Sequence, residues 1–371
     1  MSGGLATVPS PAAKDGPAPA TPPPPVLPVA SAALVAVVLA GLCCDLTVYG
    51  VHELIATPPL IVDAVLLLAG VVAWLPLIPV VSSLLTSRRR VALLRERKIV
   101  EARSTAATGR GSAAVGAGYA LAIFIISVLV AFTIANDGAV AHTFLRWEFL
   151  VDALGRVTKA FWVNIRVAVG AEAFVLALGL LVAIMRMLPG RAGRPLRLLA
   201  ILYVDIFRAI PSIIVLYLVG FGLSLAKVPV VKDMPPIWLA IFALTLTYGG
   251  YVAEVYRAGL ESIHPSQWAA ARSLGLSYTM TLRTVIIPQA VRRMVPPLLN
   301  DFIGLQKDTA LIGVMGVIDA FMQSRLVAAD VFNLSPVIVV AALFVLVTIP
   351  QARIVDRLVA REQARQAKGA Q

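Results

Sequence analysis

The sequence predicts an all-α polytopic membrane protein with about eight transmembrane helices, and three observations carry that expectation. Hydrophobic residues make up 59% of the 371-residue chain and charged residues only 14%, against roughly a quarter charged in soluble domains. Several apolar windows of about 20 residues are long enough to cross a hydrocarbon core of about 30 Å. The basic residues, finally, gather between alternate windows. Arg88, Arg89, Arg90, Arg95, Arg97, Lys98, Arg103 and Arg110 follow the second, Arg186, Arg191, Arg194 and Arg197 the fourth, and Arg353, Arg357, Arg361, Arg365 and Lys368 the last. Charge collected in alternate loops is the positive-inside signature of membrane orientation, whereas a nucleic-acid surface needs one continuous basic face. The net charge of +12 is therefore read as topology, and no nucleic-acid partner is expected.

Residues 1–28 are rich in Pro and Ala and include the run Pro22-Pro23-Pro24-Pro25, a composition that cannot bury a core and predicts a disordered tail. The tail lacks the basic start and compact apolar region of a secretory signal and is expected to be retained. Spans are predicted over 29–49, 59–85, 113–135, 163–187, 209–228, 236–257, 294–316 and 334–356. The first three belong to an N-terminal membrane region, 29–159, with a basic cytoplasmic loop at 87–110; the other five fall within 160–358, and 359–371 forms a basic C-terminal tail. Placing the 88–110 cluster inside puts every basic cluster and both termini in the cytoplasm. Residues 87–104 are expected to form a basic amphipathic helix on anionic lipid. The region 136–160, with Trp147 and Phe149, is expected to skim the outer interface. Cys43 and Cys44 are adjacent, and His52, His142 and His264 are scattered, so neither a disulfide nor a metal site is expected.

No lysine follows a glycine, so the phosphate loop G-x-x-x-x-G-K-[ST] is absent. The loop over 261–290 is more informative. Pro265 suits the first position of a helix and Gly275 the left-handed residue past its end. Between them lie Gln267, Trp268, Ala269, Ala270, Ala271 and Arg272: alanines that favour helix and leave a shallow surface, beside one large anchor of the kind found at interfaces. Ser277 then caps a second short helix expected to stop near Pro288. This helix–turn–helix is shaped for a partner's groove, although residues alone leave it equally open to a purely structural loop.

Ala269-Ala270-Ala271, Gly275 and Val285-Ile286-Ile287-Pro288 resemble the EAA loop of ABC importer permeases. The run Tyr248-Gly249-Gly250-Tyr251-Val252-Ala253-Glu254-Val255-Tyr256-Arg257-Ala258-Gly259-Leu260 resembles the polar amino-acid branch of that family, as do Phe207-Arg208-Ala209-Ile210-Pro211 and Lys307-Asp308-Thr309-Ala310-Leu311. The likeness covers about residues 160–358. Ala269 stands where the motif has glutamate, Ala209-Ile210 where it has Gly-Thr, and Asn164-Ile165 where members often have Thr-Leu. The resemblance implies a five-helix type I permease core behind three extra spans, in the cytoplasmic (inner) membrane. It implies amino-acid import with no cofactor on this chain. ATP and Mg would bind a cytosolic ATPase dimer, with a second permease subunit and an extracytoplasmic amino-acid-binding protein completing the assembly alongside membrane lipid. Gln267 to Arg272, Gly275 and Pro288 would couple to the ATPase.

Ionisable groups within a membrane are functional candidates by default. Arg208 is spaced to pair with Asp205, and Arg257 with Glu254; Pro211 closes the first of those motifs. Asn300, Asp301, Lys307, Asp308 and Thr309 crowd one predicted span, with Asp301 and Asp308 on one face. That face is assigned to the translocation pathway or a subunit interface. A transporter driven by an ion gradient is the alternative, but such proteins commonly show internal repeats, and none is evident here.

Overall fold

In a computed structural model, residues 22–55, 60–229, 231 and 233–369 are described; they are helical, with no strand among them. Most of the expected tail, residues 1–21, lies outside the described residues. The chain divides into two compact units, Met1–His142 and Thr143–Gln371.

The first unit contains α1 (Leu27–Ile55), α2 (Leu60–Ala73), α3 (Leu77–Arg95) and α4 (Ile99–Phe144). The window expected over 59–85 is two helices, α2 and α3, joined by a turn that ends at Pro76. The single amphipathic helix expected over 87–104 is also divided. The N–H groups of Arg97 and Lys98 donate to the carbonyls of Leu94 and Leu93 at 3.2 and 3.0 Å. Arg97 sits in the left-handed region at φ 59°, so α3 ends in a helix-terminating turn and α4 restarts at Ile99. In α4 the buried residues Ala102, Ala106, Gly109, Ala113, Gly116 and Ala120 recur every three or four positions. Small residues at that spacing let membrane helices approach backbone to backbone. The helical dihedrals of α4 break over residues 135–138, where the third predicted window ends.

The second unit begins with α5 (Trp147–Met187), a continuous 41-residue helix. Residues 147–160, expected to skim the interface, are thus helical and continuous with the predicted span over 163–187 rather than a separate segment. α6 (Arg194–Ala209) and α7 (Ser212–Tyr217) follow, and a π turn leads into the short α8 (Leu223–Leu225). The window expected over 209–228 is not one straight span. Arg194–Ala209 and Ser212–Leu225 are bent by 104° at Ile210 and Pro211, and 14 residues reach only about 21 Å. The proline has no N–H to continue α6, and Ile210 adopts the extended backbone that precedes proline.

Beyond these come α9 (Pro236–Glu261), α10 (Pro265–Ser273), α11 (Tyr278–Thr281), α12 (Ile287–Asp308), α13 (Ala320–Val331) and α14 (Ser335–Gly369). A π turn, Leu282–Ile286, joins α11 to α12, and a 3-10 turn, Thr309–Met315, follows α12. The core lies where α5 and α9 run along each other. Ala168, Ala171, Ala240 and Ala243 are almost fully buried there beside Leu216, Leu244, Leu305 and Ile312. Lipid tails are as apolar as these side chains, so close packing rather than escape from water holds such helices together. A second cluster joins α5 to α13 and α14, with Phe161 edge-on to Phe344 at 5.1 Å. Five helices among the described residues are long and apolar enough to cross a membrane, or seven if each bent pair counts as one span.

Candidate coupling and translocation sites

The loop over 261–290 is built from its caps outward. His264 precedes α10, and its Nδ1 accepts from the Ser266 N–H at 3.2 Å, giving that scattered histidine a structural task. At the other end the N–H groups of Gly275 and Leu276 donate to the carbonyls of Arg272 and Ala271 at 3.0 and 3.3 Å. Gly275 has φ +80°, completing a Schellman cap in which glycine avoids the left-handed penalty. Ser277 Oγ accepts from the Met280 N–H at 3.3 Å and starts α11. Pro288, expected to stop the second helix, instead lies in the first turn of α12. There a proline needs no donor, and the π turn before it carries the helical path across.

α10 has two faces. Ala271 is buried, whereas Gln267, Ala269, Ala270, Arg272 and Gly275 are exposed. Trp268 is half-buried, stacked on Tyr278 at 5.4 Å and packed toward Ile263, Ile286, Ala290 and Met294. It fastens the loop to itself and to α12. The large apolar side chain most open to a partner is Leu274, 81% exposed, followed by Tyr278 and Met280. None was singled out from sequence, although a leucine directly before a capping glycine is a usable signal. The loop rests on α9 and α12, which approach closely because a Cβ on Gly259 would lie 2.3 Å from Met294 Cγ.

The candidate pathway residues fall into separate groups. No ion pair joins Asp205 to Arg208 among the described residues; the Arg208 guanidinium lies over the Tyr251 ring, 5.5 Å from its centre. Tyr248, one turn away on α9, donates to Asp308 Oδ2 at 3.0 Å, and the two tyrosine rings are 5.8 Å apart. Two tyrosines therefore link segments that sequence reading treated separately, the one ending at Pro211 and the one beginning at Lys307. Asp301 lies within electrostatic reach of Glu172, Arg208 and Tyr248, and its Oδ2 is buried without a hydrogen-bond partner among the described residues. Asn300 and Lys307 are exposed.

Glu254 does pair with Arg257, within a larger network: Arg186 of α5 also binds Glu254, and Arg257 also binds Glu261. Thr309 belongs to a buried cluster that sequence missed. Asn164 donates from Nδ2 to Thr309 Oγ1 at 3.2 Å and to Asp319 Oδ2 at 3.0 Å, while its Oδ1 accepts from the Ala320 N–H at 3.0 Å. All three side chains are fully buried. The signal available was Asn164 itself, a polar residue in an apolar window.

The second unit is a helical bundle with apolar membrane-length helices and a capped, shallow-faced helix exposed in the loop between α9 and α12. Comparison with known proteins places it. Residues 175–363 match the family described as binding-protein-dependent transport system inner membrane component. The chain belongs to that family. The probable amino-acid permease protein YxeN of Bacillus subtilis (strain 168) is 32% identical over 183 residues, 49% of this chain and 80% of that protein. The probable glutamine ABC transporter permease protein GlnM of the same strain is 32% identical over 204 residues, 55% of this chain and 91% of that protein. The solved structure of an amino acid ABC transporter with histidines superposes with a TM-score of 0.54 at 28% identity, covering 58% of this chain and 99% of that one. The chain is thus the non-catalytic permease subunit of an ABC importer in the inner membrane, and its family implies ATPase and binding-protein partners.

Proposed function

We propose that this permease imports amino acids, polar or charged ones foremost, and that α10 transmits the ATPase cycle to the membrane helices. The capped geometry of α10 carries the coupling half of this reading. A short rigid helix bounded by Pro265 and the Gly275 turn, exposing Gln267, Ala269, Ala270 and Arg272, fits a cleft on a partner. The substrate half rests on the relatives, which include permeases named for glutamine and L-cystine. Further parts of the proposal are a second permease subunit, identical or related, an ATPase dimer, and cytoplasmic termini, which the distribution of the basic clusters supports. The same holds for Arg208, Pro211, Glu254, Arg257, Asn300, Asp301, Lys307 and Asp308, proposed to line the pathway or the permease pair, whereas the fully buried Thr309 supports them from within the bundle. The two-state element is then the tilt between two permease subunits.

The test is reconstitution in liposomes with the ATPase and binding protein, followed by uptake of radiolabelled glutamine. A cysteine at Ala270 should cross-link to the ATPase and block uptake once linked. Full uptake after quantitative cross-linking through Ala270, or no cross-link to the ATPase in a complex that transports, would remove α10 from the coupling path.

A further inference from the structure

The first unit lies outside the residues matched to the family, and transport as read above uses none of its polar side chains. Between α1 and α2 it holds a pocket of about 480 Å³, lined by Asp45, Tyr49, His52, Gly70, Trp74 and the aliphatic walls Val48, Leu66, Leu67 and Val71. Asp45 is half-buried, and its Oδ2 accepts from Trp74 Nε1 at 3.1 Å. Its other oxygen faces Gly70, where a Cβ would come within 3.4 Å of Oδ1. Glycine there leaves that oxygen open to the pocket. Trp74 is seated against α1 because Gly41 has no side chain; a Cβ at Gly41 would meet the indole at 2.8 Å. At the rim, His52 Nε2 lies 3.4 Å from Asp63 Oδ1.

Depth decides what such a pocket can take. α1 has 29 residues, about 43 Å at 1.5 Å per residue, so its ends project about 7 Å beyond a core of about 30 Å. Asp45 lies about 15 Å along the axis from the end of α1, which with α1 upright and centred puts it roughly 8 Å inside the hydrocarbon. A carboxyl group at that depth is costly without a partner. The indole N–H satisfies one oxygen only. A cation in the remaining space gains the carboxylate and an aromatic neighbour together. Its body must be apolar to reach this depth past Leu66, Leu67 and Val71. A divalent metal is disfavoured because one carboxylate reaches the pocket while Asp63 is turned to His52.

We infer that the pocket between α1 and α2 binds a cationic amphiphile, an ammonium group on a hydrocarbon body, with Asp45 as its counter-ion and Gly70 keeping the space open. The ammonium belongs either to a free amphiphile dissolved in the bilayer or to a lipid headgroup. The full chain, in phosphatidylglycerol nanodiscs, is photolabelled with a diazirine derivative of dodecylamine and the labelled peptides are mapped. Labelling should fall on residues 41–55 and 60–74 and be competed by dodecylamine but not by dodecanol. Asp45→Asn and Gly70→Leu, the second leaving the carboxylate in place, should each lower it at least tenfold. Replacing half the lipid by phosphatidylethanolamine identifies the source: suppressed labelling assigns the site to the headgroup, unchanged labelling to free amphiphile. Labelling of both variants at the level of the unsubstituted chain, or equal competition by the neutral alcohol, overturns the assignment. Neither result bears on whether the second unit transports amino acids.

Discussion

At the scale of single residues, Gly275 holds φ at +80° with open space around it, so its requirement is conformational and not steric. A β-branched residue there meets a left-handed penalty of about 1–2 kcal/mol, enough to unwind a cap on a nine-residue helix. Gly275→Val is expected to abolish ATP-driven uptake while membrane insertion stays normal, and Gly275→Asn, which tolerates that backbone, to retain most of it. Wild-type uptake by the valine variant would disprove the requirement. Asn164 invites a different experiment. Its removal strands the Ala320 N–H and an oxygen of Asp319 in a buried site, at a cost of about 1–3 kcal/mol. Asn164→Leu should therefore lower the melting temperature of the purified chain in detergent; an unchanged melting curve would mean the cluster contributes nothing to stability.

Among the elements, α10 has a packed side and an open side along its own circumference, and the proposed docking belongs to the open one. Ala271 faces the packed interior and Ala270 faces outward. Ala271→Leu should thus overpack the contact with the helices beneath and lower thermal stability, by about 1–3 kcal/mol. Ala270→Leu should leave the melting temperature within a degree or so and weaken association with the ATPase, read by co-purification. Equal effects of the two on both measurements would refute the division of faces. This helix was legible in the sequence because its signals are local: a proline at its start, alanines within, and a glycine just past its end. Its neighbours were harder. The turn at Arg97 uses a left-handed arginine where glycine would have announced it. Pro288 reads as a helix stop because sequence cannot show that a π turn precedes it.

For the whole molecule, hydropathy told membrane helices from loops because lipid imposes one requirement, length in apolar residues, on every span. It failed where two helices meet at a sharp bend. α6 exposes Leu198, Leu199 and Leu202 on one side and carries Arg194, Arg197 and Arg208 elsewhere, so its average resembles a basic loop. The candidate site divides in the same way. Motif residues were visible one by one, but Tyr248 and Tyr251 as the link between Asp308 and Arg208 appear only once α9 is packed. An importer that depends on a separate ATPase makes a prediction at this scale too. Uptake by cells carrying the complete system should be blocked by vanadate and persist in a protonophore while ATP is maintained. Loss of uptake with the protonophore alone would favour an ion gradient.

The row of small residues along α4 has a consequence for mutational scanning. A Cβ on Gly109 would come 2.2 Å from Thr86 Oγ1, and one on Gly116 2.5 Å from Val80 Cγ2, whereas Gly111 and Gly118 have nothing within 4 Å. Conventional truncation to alanine is silent at Ala102, Ala106, Ala113 and Ala120 because those positions are already alanine. At Gly109 and Gly116 the same substitution enlarges the side chain. The usual meaning of such a scan is inverted here: Gly109→Ala should reduce the yield of folded protein and Gly111→Ala should not, so this helix reports its interior through what is added to it.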